Sequence, residues 1–278
     1  MNTSLKHLSP AHRDKLEKAV RIIVRAVLPE KIILFGGVYD LPGANDLLVI
    51  GGYNLLVITR QGDRRSDYEL QDIIENRCRE EAPVTVLVHD IGYVNRRRIE
   101  GQYFFSLVVE EGILLYDSSR TPLAKAAAPD LEQVRRVAIR DYERWGDQAR
   151  AFYRSAEFNR NEKQWRIATF LLHQAAEHLY QAVLLAFTGY KPTTHNLDKL
   201  RRYTNRFSVE LAQVFPRDSA MEDELFRLLL SGYVDARYKE DFAVTETEVG
   251  VLLHRIGRML EIAASVCGNH FLSLEKMI

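Results

Sequence analysis

A helix that is apolar around its whole circumference can only lie at the centre of a packed structure, and one stretch of this 278-residue chain reads that way. Within residues 162–188, Ile167, Ala168, Leu171, Leu172, Ala175, Ala176, Leu179, Ala182, Val183 and Leu184 leave no broad polar face. Cover for it is close by in the sequence. Helical apolar spacing recurs over residues 131–159, 197–206, 221–238 and 245–266, and prolines fall only between these segments, at Pro192 and Pro216. Short connections between long amphipathic helices imply antiparallel packing, so residues 131–278 are expected to form an all-α helical bundle.

The first half of the chain has a different rhythm. Ser9 followed by Pro10 suits a helix start, the spacing of Leu16, Ala19, Val20, Ile23 and Val24 gives an apolar stripe, and Pro29 closes it. Residues 31–35 form a compact apolar run that predicts a strand ending at a glycine turn, Gly36-Gly37, with a loop through Asp46. A second glycine pair, Gly51-Gly52, precedes the continuously apolar run at residues 54–59, as expected of a strand covered on both faces. A helix over 67–81 stopped by Pro83, a strand over 84–89, a short helix over 94–99 and a last strand over 113–116 complete the pattern. The sum is an α+β domain, a small mixed sheet with helices. Residues 119–130 lack apolar periodicity and read as a linker between a domain at 1–118 and the bundle at 131–278.

Composition narrows the functional classes. Lys+Arg and Asp+Glu both total 38, so net charge offers no support for nucleic acid as a partner. No apolar stretch approaches the ~20 residues of a membrane span, and residues 1–7 lack the apolar core of a signal peptide, so a cytoplasmic location and no membrane are expected. Cys78 and Cys267 are far apart and outside any Cys/His cluster, which argues for free thiols and against structural zinc.

The order helix, strand with Phe35-Gly36-Gly37, loop, strand Tyr53 to Thr59, helix, strand, then Gly101-Gln102-Tyr103-Phe104-Phe105 and Glu111-Gly112-Ile113-Leu114-Leu115-Tyr116, resembles the minimal nucleotidyltransferases of bacterial and archaeal fusion proteins. The likeness spans about residues 31–117. It implies a Gly-Ser turn that grips nucleotide phosphates and an Asp-x-Asp pair on the next strand that holds divalent metal, with a third carboxylate on the strand after it. Backbone N–H groups at such a turn cradle phosphate, and Mg²⁺ demands carboxylate oxygens. In this sequence the serine position is Gly37, the carboxylate pair falls on Gly52 and Asn54, and the third position falls near Thr85. The domain is therefore expected to be degenerate, with Mg²⁺ not expected as a cofactor. Asp40 and Asp46, in the loop, are the only carboxylates offered as substitutes, and a loop is a poor replacement for a rigid strand.

In the second half, the run Ala168 to His178, the segment Gly189-Tyr190-Lys191-Pro192-Thr193-Thr194-His195-Asn196-Leu197 and the run Tyr233-Val234-Asp235-Ala236-Arg237-Tyr238 together resemble the HEPN family. Ribonucleases of that family carry Arg, four to six residues, then His near the penultimate helix; here Arg237 is followed by no histidine. Arg166 and His173 have the bare spacing but sit on the central helix. His173 and Glu177, at i,i+4, could satisfy each other in the bundle interior, with Arg237 or Tyr238 reaching in from another helix. The structural reading of these four is a buried packing network. The family's proposed role implies instead a pocket for nucleotide, ATP or GTP. His195 reads as a helix-start residue. Arg136, Arg140, Arg144, Arg150 and Arg154, interspersed with acids, read as a salt-bridged solvated face rather than an RNA track, and Tyr142, Trp145, Phe152 and Tyr153 as core or interface anchors. The resemblance as a whole implies a non-catalytic or weakly active nucleotide-binding or regulatory protein, a pseudoenzyme that pairs as a homodimer through its bundle. The alternatives are a transferase working through loop carboxylates and a toxin-type HEPN ribonuclease.

Overall fold

The computed structural model describes residues 2–6, 8–40 and 47–278, with the side chains of all of these except 37–40 and 47–51. Two compact units divide the chain, Met1–Asp130 and Leu131–Ile278.

In the first unit, helix α1 (Pro10–Val27) begins as its sequence directs: the Ser9 side chain accepts a hydrogen bond from the His12 N–H, and Pro10 occupies the first turn. Leu28, in the left-handed region at φ 47°, ends it ahead of Pro29. Strands β1 (Lys31–Asp40), β2 (Leu47–Thr59), β3 (Val84–Asp90) and β4 (Ile113–Asp117) form one sheet in the order β3-β2-β1-β4. Strand β1 pairs antiparallel with β2 and β4, while β2 and β3 run parallel, joined by helix α2 (Asp67–Cys78). The Ser66/Glu69 capping box sets the start of α2.

Both faces of the sheet are covered, which accounts for the unbroken apolar runs. Ile32, Leu34, Leu55, Val57, Val86 and Val88 pack with Leu16, Ile23, Leu70 and Ile74 of α1 and α2. The alternate residues Ile33, Leu56 and Ile58 are also fully buried, and α3 (Ile91–Ile99) and α4 (Tyr103–Glu111) lie against β2 and β1.

One sequence expectation is corrected here, and one helix is added. Gly36-Gly37 is not the end of its strand: β1 runs on to Asp40 and β2 starts at Leu47, so the glycines lie inside a long antiparallel pair. The register shifts between Leu34 and Gly36 and again between Gly36 and Val38, which is how glycine is used in a strand, to permit a bulge and a close approach. A Cβ on Gly36 would lie 2.9 Å from the Asn54 amide nitrogen. Second, residues 103–111, quoted above only as part of a motif, form a helix; its apolar run has no legible period because α4 is buried over most of its surface.

In the second unit, α5 (Leu131–Asn161), α6 (Trp165–Thr188) and α11 (Glu246–Met277) are the long helices, and α6 is buried along nearly its whole length. Helices α7 (Leu197–Thr204), α8 (Val209–Gln213), α9 (Ala220–Ser231) and α10 (Asp235–Tyr238) fill the connection between α6 and α11. The single helix expected over 221–238 is broken after Ser231. Gly232 passes so close to α6 that an added Cβ would meet the Thr169 methyl at 3.0 Å. The last helix also runs further than its apolar period suggests, since Leu274 is buried. Among the described residues, no helix is long and apolar enough to cross a membrane.

Gly112 is the tightest turn in the sheet unit: a Cβ there would lie 2.3 Å from the Val108 carbonyl oxygen and 2.6 Å from Ile33 Cγ2. Gly112→Ala should therefore destabilise the sheet unit by about 3 kcal/mol, a cost of the overpacking class. Urea unfolding followed by circular dichroism measures it, and an unchanged midpoint would contradict this packing.

Candidate functional site

The positions that the resemblance assigns to metal ligands carry no charge in this sequence. Asn54 and Thr85 are cross-strand partners on β2 and β3, with 1% and 2% of their surface exposed. Gly52, two residues before Asn54, has φ 94°, a conformation that favours glycine over aspartate. An amide, a hydroxyl and a bare backbone are the donors on offer, and a hard divalent cation is poorly served by them. Gly37 and Asp40 are placed by the backbone of β1, whereas Asp46 lies outside the described residues. Among the described residues, no group of three or more His, Cys, Asp or Glu side chains could hold a metal ion.

The helical unit concentrates its polar chemistry around one carboxylate. Glu177 lies on α6 with 6% of its surface exposed. The expected i,i+4 partnership with His173 is corrected: His173 Nδ1 stays 3.9 Å from Glu177 Oε2, beyond hydrogen-bond distance. The partner is His195, whose Nδ1–H donates to Glu177 Oε1 at 2.8 Å. His195 arrives from the turn before α7, and that turn is fastened to α6 by Gln181, whose amide donates to the carbonyls of Pro192 at 3.2 Å and Thr194 at 3.4 Å. The helix-start task falls to Asn196, which caps α7.

Tyr233 is the second organiser. Its ring stacks with His173, centroids 5.1 Å apart, and with His195, 5.4 Å apart and within 8° of parallel. Arg237 donates through Nε to the Tyr233 carbonyl at 2.6 Å, and its guanidinium carbon lies 4.5 Å from the Tyr233 centroid and 5.2 Å from that of Phe170. Tyr238 is 73% exposed; its recorded ring contact is with Arg237, and it does not enter the buried cluster. The arrangement is thus graded from inside to outside: His173 and Glu177 buried, Tyr233 half-buried, Arg237 and His195 at the surface.

The electrostatics follow the same gradient. Burial pushes the His173 imidazole down from 6.5 to about 3, and the nearby His195, Arg237 and His178 add to the effect. His173 is neutral at physiological pH and forms no ion pair with Glu177. His195, with its side chain 66% exposed, keeps Nε2 available for solvent or a ligand.

Arg166 and His173 do not form a joint site. Arg166 is spent on the backbone carbonyls of Ala236, Lys239 and Glu240, and His173 is 1% exposed. Of the arginine ladder on α5, Arg140 pairs with Asp141 at 2.8 Å and Arg150 with Asp147 at 2.7 Å, while Arg136 donates to the Gln133 side chain. Trp145 and Phe152 pack on His178, and Tyr142 on Phe271, as anchors between helices. Tyr233 and His195 are the residues sequence reasoning undervalued; both lie in the motifs quoted above, but helical periodicity says nothing about side chains from two separate connections.

Comparison with known proteins gives a matching result for the helical unit: residues 142–266 match the HEPN domain. No curated protein matches the chain. Among solved structures, the chain is similar to the crystal structure of a nucleotidyltransferase-like protein from Exiguobacterium sibiricum 255-15, at 16% identity over 95% of this chain and 80% of the other, with a TM-score of 0.29. That score is too low to carry an argument.

The His173 shift sets a pH test. Between pH 6.5 and about 3 the unfolded chain binds a proton at His173 that the folded chain refuses, so this residue's effect is to lower stability as pH falls through that window. His173→Phe, which keeps a ring against Tyr233, should flatten the fall in melting temperature of the helical signal between pH 6.5 and 4. Equal slopes for the two proteins would show that His173 is not held neutral.

Proposed function

We propose that the protein binds nucleotide through its helical unit and performs no metal-dependent nucleotidyl transfer. The observation that carries this reading is the surface pair His195 and Arg237, each held by a fixed inner partner, Glu177 and Tyr233. A phosphate approaching the cluster meets a guanidinium whose orientation is already set by stacking, so less side-chain freedom is lost on binding. Beside it lies an imidazole whose inner nitrogen is committed to a carboxylate and whose outer nitrogen is open. Cationic and imidazole donors of this kind suit the terminal phosphates of ATP or GTP.

The sheet unit supports the negative half of the proposal. At Gly52, Asn54 and Thr85 the donors are neutral, so the attraction that carboxylates give a divalent ion is missing. A ribonuclease reading gets no comparable support, because Arg166 is consumed by carbonyls and His173 is shut away from substrate.

Calorimetric titration with ATP and GTP, each with and without Mg²⁺, tests the proposal. Binding is expected to be indifferent to Mg²⁺, and Arg237→Ala or His195→Ala should weaken it by about tenfold, the equivalent of ~1.4 kcal/mol. No binding at millimolar nucleotide, or equal binding by both variants, would defeat it, as would radiolabelled nucleotide transfer by the wild type.

Self-association through the bundle belongs to the same reading. Phe158 on α5 and Val251 on α11 are 64% and 39% exposed, apolar side chains on the two long outer helices. Light scattering is expected to give twice the monomer mass, falling towards the monomer in Phe158→Glu. A monomer at every concentration would remove the dimer.

A further inference from the structure

His195 combines a buried anchor with an exposed reactive atom. Its Nδ1–H donates to Glu177 Oε1 at 2.8 Å, while 66% of its side chain is exposed. With the proton fixed on Nδ1, the lone pair of the imidazole lies on Nε2, at the outer side of the ring. The ring is held in one orientation: it lies within 8° of parallel to Tyr233, and Gln181 fastens the turn that carries it. The need of a buried carboxylate for a partner accounts for the inner bond. It does not account for a ring that is stacked, tethered and still open at its second nitrogen. His89 shows the difference, since it also bonds a carboxylate, Asp67 at 2.9 Å, but is only 15% exposed and packs against Tyr93 and Phe105.

Arg237 completes the arrangement. Its guanidinium carbon lies 4.5 Å from the Tyr233 centroid and the His195 ring 5.4 Å from it, so one triphosphate chain can touch both. Arg237 spends Nε on the Tyr233 carbonyl, which directs its remaining donors to a phosphoryl group. An imidazole with a free lone pair is itself a nucleophile, and its attack on phosphorus requires no second base.

We propose that His195 is a phosphoryl acceptor, its Nε2 taking the γ-phosphoryl group of a nucleoside triphosphate held by Arg237. The inference rests on the nucleotide-binding reading above and adds a covalent step to it. The Nε2 lone pair forms a P–N bond, the bond from the γ-phosphorus to the β,γ-bridging oxygen breaks, and its electron pair leaves on the nucleoside diphosphate. The Nδ1 proton shifts towards Glu177, which offsets the positive charge gained by the ring. Glu177 is a positioning residue, and Arg237 neutralises charge on the group in transit. A phosphoryl group moves, not a nucleotidyl group, and no residue of the sheet unit takes part.

The full chain is incubated in Mg²⁺ buffer with ATP radiolabelled at the γ- or the α-phosphorus, and ATP binding is measured in parallel by calorimetry. Label is expected from the γ position alone, stable in alkali and lost in acid, as a P–N bond requires. His195→Ala should remove it and His89→Gln should leave it unchanged. Glu177→Gln, which keeps an acceptor for Nδ1–H, should slow labelling at saturating ATP by about tenfold while affinity and helicity hold. Binding without γ label, or label that is acid-stable or survives His195→Ala, overturns the acceptor role and leaves the binding reading standing. Absence of binding, or label from the α position, overturns both.

Discussion

A carboxylate buried in the mostly apolar central helix is the constraint around which the helical unit is arranged. Glu177 cannot be left uncompensated where it stands, because an unpaired buried charge costs several kcal/mol. The chain answers by carrying His195 in from the following turn, by fastening that turn with Gln181, and by laying Tyr233 against the imidazole from the far connection. Three segments distant in sequence are thereby committed to one geometry. The break at Gly232 is part of the same solution, since only a close pass over Thr169 brings Tyr233 and Arg237 to α6.

The sheet unit shows the opposite economy. Asn54 on the inner strand β2 and Thr85 on the edge strand β3 lie side by side, both buried and neither anionic. What holds those positions is packing: Asn54 fits against the bare Cα of Gly36, and Gly52 occupies a conformation that a side chain would strain. Placing an acidic pair at positions 52 and 54 would thus disturb the backbone and the β1 contact as well as the charge.

How far the sequence could be read depended on whether a feature was periodic. The central helix, α1 and α2 are visible because burial imposes a repeat, and the Ser9 cap announces the start of α1. Helix α4 was hidden because Phe104, Phe105, Val108 and Val109 are all buried, which erases the contrast between faces. The glycine pair at 36–37 is compatible with a strand end as well as a bulge, because a bulge and a turn ask for the same residue. At the site, Glu177, His173 and Arg237 could be singled out as polar groups among apolar neighbours. The pairing of Glu177 with His195 could not, since which of two histidines reaches a carboxylate depends on where a turn is tied down.

The stretch ahead of α5 has no helix or strand, yet it is not a free tether: buried Arg98 of α3 donates through Nε to the Ala124 carbonyl at 2.9 Å, Ala127 N–H donates back to the Arg98 carbonyl at 3.1 Å, and Asn95 grips Ala124 and Pro122. Severing the polypeptide right after the last strand would leave the Arg98 Nε–H without its acceptor, while Nη1 keeps the Phe105 carbonyl at 3.2 Å, a loss of about 1–3 kcal/mol. The natural seam lies just before Leu131, and a fragment made for separate study keeps its integrity only if it carries that stretch along as the closing piece of the sheet unit.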